Sequence, residues 1–384
     1  MNFSSIIKNL IITLLAITAI VSCKEVYNPK IDSPSTGYLV VDGFISSGDS
    51  PTVITLTRTT KLIDTIETLY EHGAQVEIES DNNESFPLTE KENGTYHSDF
   101  LTLNSNENYR LHIATSDGKE YESDFVPVQY TPPVDSISWQ VEDGGVQIYT
   151  NAHDDAGTAK YFRWKYSETW EFHSPFLQSV FYIIDPETHL AQGVYSGPPD
   201  TTIYKCWKSQ SSSRIILGTT EKLGTDRVFL PIRYVEPQGE ELSVLYYMDL
   251  KQYTLSKPAY EFYQKLKKNT EQLGTIFDAQ PSELEGNIHC LNNPDEVVIG
   301  YVDVEQEQEK KVFIHHDDLP IPWLPHIPCD QQKIENNRVN FYPDLTPTSV
   351  AENMGFAIKS YYAADAICVD CTLRGTNVRP SFWP

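Results

Sequence analysis

Cys368-Val369-Asp370-Cys371 has the C-x-x-C spacing of a redox pair. A thioredoxin-type site needs that pair to open a helix after a strand. Here it lies about a dozen residues from the end of the chain, beside Gly375 and Pro380, so it reads as a structural staple of the C-terminal tail. A zinc site needs two further ligands close by, and the local spacing supplies none. The stretch HHDDLPIPWLPH, residues 315 to 326, gathers histidines and aspartates. At a strand end His315 and Asp317 share a face and are weak candidate metal ligands, but the prolines around them favour a rigid exposed loop. Asp154 and Asp155, with Asn151, resemble part of a calcium loop. They lack the spaced glycine and the distal glutamate, so a solvated turn is expected. No G-x-S-x-G, H-E-x-x-H or P-loop occurs. Gly94-Thr95-Tyr96 reads as a turn entering a strand, not as a nucleophile elbow. Paired carboxylates suit glycoside hydrolysis, yet among 54 acidic residues nothing singles out one pair. No catalytic residue, metal or cofactor is expected.

The most specific chemistry sits near the start. A run with one cation, Lys8, turns apolar from Leu10 to Val21 and ends at Ser22-Cys23. The run is too short to span a bilayer, which takes about 20 apolar residues. A short apolar core with a small residue before the cut has the form of a secretory signal. With a cysteine at the cut it resembles a bacterial lipobox, whose Cys23 becomes the first residue and is acylated. Two or three acyl chains hold a protein at a membrane where one binds only marginally. Residues 1–22 are therefore read as a lipoprotein signal peptide, and the polar residues 23–36, with two prolines, as a lipid tether. No later stretch is apolar enough for a second span.

Formal net charge is −25. That charge repels nucleic acid, gains nothing from counterion release, and serves solubility. Five cysteines follow Cys23: Cys206, Cys290, Cys329, Cys368 and Cys371. All are disulfide candidates in an oxidising envelope, and the odd number leaves one free or buried, with pairing open.

The elements around these residues are strands. Tyr, Val, Ile and Thr dominate the apolar runs, and 24 prolines break them up. YLVVDGFIS, TVITLTRT, AQVEIES, SFPLTE, NGTYHS and YRLHIATSDGKEYES read as short strands joined by turns, which predicts an N-terminal β-sandwich over 37–131. Pro132-Pro133 marks a boundary, and 132–384 reads as a second β-rich domain. There VQIYTNAHD and KYFRWKYSETWEF read as paired strands. The stripe Phe162, Trp164, Tyr166 is expected to face a core, with Arg163 and Lys165 on the other face. Residues 173–202 hold four prolines and read as an irregular, partner-facing insertion. One helix is clear over 257–273: Ser256 caps it, Pro258 suits its first turn, lysines fill its C-terminal half, and Gly274 ends it. EVVIGYVDVEQEQEKKVFIHH reads as a hairpin of Val297–Val304 with Lys311–His315. The fold class is mainly β: two sandwich-like domains, with one α-helix in the second.

Several stretches carry a resemblance: LKQYTLSKPAYEFYQKLKKNTEQLGTIFDAQPSELEGNI, GYLVVDGFIS, NNPDEVVIGYVDV, Cys206-Trp207, and the closing CVDCTLRGTNVRPSFW. Together they resemble the Bacteroidota outer-membrane lipoprotein family catalogued as domain of unknown function 4249. The resemblance implies an N-terminal sandwich of immunoglobulin-like or carboxypeptidase-regulatory-like type. It implies a gene placed near those of TonB-dependent outer-membrane transporters and carries no catalytic residue over. Lys24-Glu25 is similar to the export signal that takes such lipoproteins to the cell surface; with a single acid, a periplasm-facing lipoprotein is the alternative.

The expected function is thus a non-enzymatic binding or accessory subunit, anchored in the outer membrane, whose partner is a β-barrel TonB-dependent transporter or another envelope protein complex. Phe176, Phe181, Tyr182 and Trp323, on the insertion and on the loop from His316 to Cys329, are its candidate partner contacts. The alternatives are a surface hydrolase of glycans or peptides and a structural subunit of an envelope assembly or secretion complex.

Overall fold

A computed structural model describes residues 37–60, 68–271, 284–319, 323, 325–337 and 344–384. The signal peptide, the tether with Cys23, the expected helix end at 272–274 and the stretch 275–283 lie outside the described residues.

The first body is built from β1 (Leu39–Ser46), β2 (Val53–Arg58), β3 (Leu69–Tyr70), β4 (Gln75–Ser80), β5 (Ser85–Glu92), β6 (Thr95–His97), β7 (Asn108–Ala114), β8 (Glu120–Ser123) and β9 (Val126–Pro127). Alternation decides which side chains go in: Val76 and Ile78 of β4, and Tyr109, Leu111 and Ile113 of β7, are buried while their neighbours are not. Between β5 and β6, Asn93 and Gly94 both take positive φ, as a tight hairpin turn requires. β5 switches partners along its length. Ser85 to Leu88 pair with β4, and Thr89 to Glu92 pair with β6. The sheet thereby folds over a single core of Leu39, Ile54, Leu56, Ile78, Tyr96 and Tyr121, among others.

The rest of the chain supplies β10 (Val134–Glu142), β11 (Gly145–His153), β12 (Tyr161–His173), β13 (Gln178–Ile184), β14 (Ala191–Asp200), β15 (Lys205–Ser211), β16 (Ile216–Thr219), β17 (Arg227–Val235), β18 (Leu245–Thr254), α1 (Lys257–Glu271), β19 (Ile288–Cys290), β20 (Val304–Glu305), β21 (Gln308–His315), β22 (Gln332–Glu335), β23 (Leu345–Met354) and β24 (Ala357–Asp365); of these, β19 and β20 belong to the sheet of the first body. One sheet runs β10-β11-β17 and another β15-β12-β18-β21, with β16 also on β12. They share a core that includes Ile148, Phe162, Trp164, Phe172, Val235 and Met248. The expected pairing of VQIYTNAHD with KYFRWKYSETWEF is corrected: β11 pairs β10 and β17, whereas β12 belongs to the other sheet. Both strands are apolar on the same inner side, which fixes their faces but not their partners.

The expected hairpin of 297–304 with 311–315 is corrected too. Residues 299–305 return to the first body and run parallel along β1: Ile299 donates to Leu39 O at 2.9 Å, and Ile45 donates to Asp303 O at 2.9 Å. β21 instead joins β18. β19 likewise joins β8, so the first sandwich is not the contiguous segment 37–131. Gly300 allows the return, because a Cβ there would sit 2.3 Å from Val41 O.

The two bodies meet along a filled seam. Thr131 and Pro132, at the expected domain boundary, are buried. Gln252 Nε2 donates to Pro132 O at 2.8 Å, and the Thr254 N–H donates to Thr131 Oγ1 at 3.0 Å. Arg163 lies in the seam and donates to Glu305 Oε2 at 2.8 Å and to the Tyr263 hydroxyl at 3.0 Å. Its guanidinium sits 4.7 Å from the centre of the Tyr263 ring and 4.9 Å from that of Tyr253. Burial pushes Glu305 up to about 7; Arg163 opposes that shift and Asp303 adds to it. α1 closes the seam. Ser256 Oγ accepts from the Ala259 N–H at 3.3 Å, and Ala259, Tyr260 and Phe262 form the buried face. The aromatic stripe of β12 therefore does face the core, through Phe162 and Trp164, but the opposite face is buried at Arg163 as well.

Candidate functional site: a disulfide-tied hairpin module

Residues 173–202 are not irregular. β13 and β14 form a hairpin, with Tyr182 opposite Val194 and Phe181 opposite Tyr195. Asp185 builds the turn: its Oδ1 accepts the N–H groups of Glu187 and Thr188, each at 2.9 Å. Those two N–H groups, Thr188 first, hold the Asp185 carboxyl below the usual carboxylate range. His189 takes φ of +56° as the chain returns. The prolines Pro198 and Pro199 sit near the end of β14, which among the described residues pairs with β13 alone.

The inner side of the hairpin packs on the three-stranded sheet β22-β24-β23 through Val180 and Val194 against Ile334, Tyr361 and Ala363. Tyr182 also points inward, with its hydroxyl donating to Leu345 O at 2.9 Å and its ring edge-on to Tyr361. Burial, followed by Tyr361, raises its hydroxyl above the usual phenol range. Asn336 bridges the layers: Oδ1 accepts from the Val194 N–H and Nδ2 donates to Ile358 O.

Covalent ties hold this small module. Cys329 is bonded to Cys368, which links the start of the third sheet to its end. Cys371 is bonded to Cys206 on β15. The two thiols of C-x-x-C thus go to different partners, and both fasten the tail. Cys290 is free and buried in the first core. The tail then lies against β15: Trp207 and Thr376 exchange backbone hydrogen bonds of 2.7 and 2.9 Å. Gly375 permits that approach, since a Cβ would stand 2.5 Å from Trp207 O. Trp383 closes the tail by donating to Glu171 Oε2 at 3.1 Å.

Apolar side chains line the outer side and tip of the hairpin. Ile183, Ile184, Leu190 and Tyr195 are each about half exposed, at 46, 48, 58 and 50%. The Phe181 ring is tilted against Tyr195 at 5.5 Å and lies over Gly197, where a Cβ would be 3.0 Å away. The candidate contacts therefore divide. Phe181 is half-buried beside Tyr195, while Tyr182 turns inward. Phe176 packs beside Cys368 and Val369. Trp323 is a correction: it is 2% exposed, belongs to the core of the second sandwich, and donates to Gly239 O at 2.7 Å. Flanking prolines made it look exposed, whereas an indole with one satisfied N–H suits a core. Ile183, Ile184 and Leu190 were missed because the insertion was not read as a strand pair.

The weak metal candidates His315 and Asp317 lie at the end of β21 and in the single turn that follows it. His315 ends β21, and its N–H donates to Asp318 Oδ2 at 3.1 Å. Among the described residues no group of three His, Cys, Asp or Glu is placed to hold a metal ion. Asp154 anchors a turn. Its carboxylate accepts from the N–H groups of Ala156, Thr158 and Ala159, which hold it below its usual range against the opposing effect of burial. Asp155 is exposed to solvent. A further buried carboxylate, Glu168, is satisfied by Arg233 Nε at 3.1 Å, by the Tyr246 hydroxyl and by Gln210. A charged residue amid an aromatic strand gave no signal of that burial.

Folded sheets, a polar seam and a cross-linked hairpin define a mainly β, multi-sheet protein with a sandwich-like arrangement. The chain belongs to the family described as Domain of unknown function (DUF4249), which it matches over residues 24–311. No curated protein matches it. Among solved structures, one holds the complete manganese lipoxygenase of Gaeumannomyces graminis and partial zonadhesin of Komagataella pastoris. It is similar at 8% identity and a TM-score of 0.18, over 58% of this chain and 90% of that one. A DUF4785 family protein from Legionella pneumophila is similar at 9% identity and a TM-score of 0.17, over 57% of this chain and 51% of that one. The chain thus spans about half of that second structure, and likenesses this slight carry no argument.

Proposed function

We propose that this protein is a lipid-anchored, non-catalytic accessory subunit of the outer membrane that docks on a β-barrel transporter of the TonB-dependent kind. Acylated Cys23 supplies the location, and the hairpin module supplies the contact. One observation carries this reading: Ile183, Ile184, Leu190 and Tyr195 stay about half exposed on a hairpin that packs on a small core flanked by two disulfides. A rigid apolar ridge of this kind meets a partner at low ordering cost. In the test, the native protein is captured from gently solubilised membranes and its partners and acyl mass are read by mass spectrometry. An integral barrel protein is expected in stoichiometric amount with the wild type and is expected to be lost with Ile183→Asp/Ile184→Asp. Capture of the acylated protein alone overturns the docking reading; an unacylated, freely soluble protein overturns the anchor.

A further inference from the structure

The second sandwich is open along one side. Among the described residues β16 pairs only with β12, and β17 only with β11, so each leaves one edge unpaired there. Both strands line a cleft of about 430 Å³, within the range of small-ligand pockets. Its apolar walls are Ile216 and Leu217 on one strand and Leu230 and Ile232 on the other; Tyr166 also lines it. The charges run against composition. In a chain with 29 basic and 54 acidic residues, the cleft is lined by three cations, Arg214, Arg233 and Lys267, and one anion, the exposed Glu236. Arg233 is occupied by Glu168 and Glu241. Nearby, Glu271 is held by the Ile215 N–H. Among the described residues the exposed Arg214 and the half-buried Lys267 form no ion pair, and the Tyr166 hydroxyl forms no hydrogen bond.

Two uncommitted cations and a hydroxyl beside aliphatic walls form a binding site of defined chemistry. We infer that the cleft binds an amphipathic organic anion. Its carboxylate or phosphate head is held by Arg214 and Lys267, with a hydrogen bond from Tyr166, and its apolar body lies against Ile216, Leu217, Leu230 and Ile232. A planar guanidinium suits either head group through paired N–H donors, and the ammonium adds a point charge. The site is separate from the hairpin, so its failure leaves the docking reading untouched.

The full-length protein in lipid nanodiscs is titrated calorimetrically with octanoate, octyl phosphate and octan-1-ol, with empty nanodiscs as the blank. Saturable one-site binding of at least one anion is expected, and the better of the two identifies the head group. Octanol is expected not to saturate. Arg214→Ala/Lys267→Ala should weaken the anion by roughly tenfold or more at unchanged Tm, given what charge-assisted hydrogen bonds contribute. Arg214→Lys/Lys267→Arg should retain most of the affinity. No saturable anion binding above the blank overturns the inference, as does equal affinity in the double alanine variant.

Discussion

The seam between the two sandwiches and the hairpin module are both places where separate sheets meet, and they are held by opposite means. At the seam Arg163, Glu305, Tyr253 and Tyr263 interlock without a covalent bond, between bodies that each have a large core. The hairpin and the sheet it packs on share a cluster of only five buried apolar residues among those described, flanked by two disulfides. Where apolar burial is ample, polar groups can be spent on specifying one arrangement; where it is scarce, cross-links restrict the unfolded chain instead.

Breaking the cross-links gives the largest expected effect. Cys206 and Cys371 are 165 residues apart, and the chain-entropy relation assigns their bond about 5 kcal/mol, against about 4 kcal/mol for Cys329–Cys368 at a separation of 39. Cys206→Ser/Cys371→Ser should therefore lower the denaturant midpoint of the whole chain. Cys329→Ser/Cys368→Ser should chiefly expose 178–200 and 345–365 to hydrogen exchange. Equal and global loss in both variants would erase the distinction between the regions.

The seam responds differently. Arg163→Ala leaves Glu305 buried without its cation and should cost about 3–5 kcal/mol in denaturant unfolding, whereas Arg163→Met/Glu305→Leu should recover most of that. Its pH dependence has a definite sign. Burial raises Glu305 to about 7, above its unfolded value, and raises Asp303 as well. The stabilising state is therefore the protonated one, and stability should fall as pH climbs from about 4.5 to 7, by on the order of 1–3 kcal/mol. Melting curves between pH 4.5 and 8 should show this fall in the wild type and a flatter profile in the Met/Leu variant. A wild type whose stability rises over that window would contradict the assignment.

How far the residues alone foretold this arrangement depends on range. Local features were legible. Period-two alternation marked β4 and β7, Asn93-Gly94 marked a turn, and Ser256 with Pro258 marked the start of α1. Partner choice was not legible, because alternation assigns faces and says nothing of which edge a strand will seek. The return of 299–305 to β1, the separation of β11 from β12, and the divergent pairing of Cys368 and Cys371 are all contacts between distant residues. The proposed docking surface was illegible for the same reason. Four prolines mask a hairpin and with it the outward Ile183, Ile184 and Leu190, and the prolines around Trp323 give a core residue the look of an exposed anchor.

The smallest stability effect belongs to that surface. Ile183→Asp/Ile184→Asp removes exposed side chains and should leave the melting temperature within the shift of about 0.5 kcal/mol typical of surface changes. A large loss would show that the ridge serves the module's own packing. Photocrosslinking tests the docking account most directly. A photoreactive residue replaces Leu190 on the hairpin or, as the comparison, Phe100 on the first sandwich, which is 73% exposed. In intact cells position 190 should yield one discrete adduct with an integral β-barrel protein, and position 100 none. Equal labelling from both positions, or adducts at neither, would contradict docking through the hairpin.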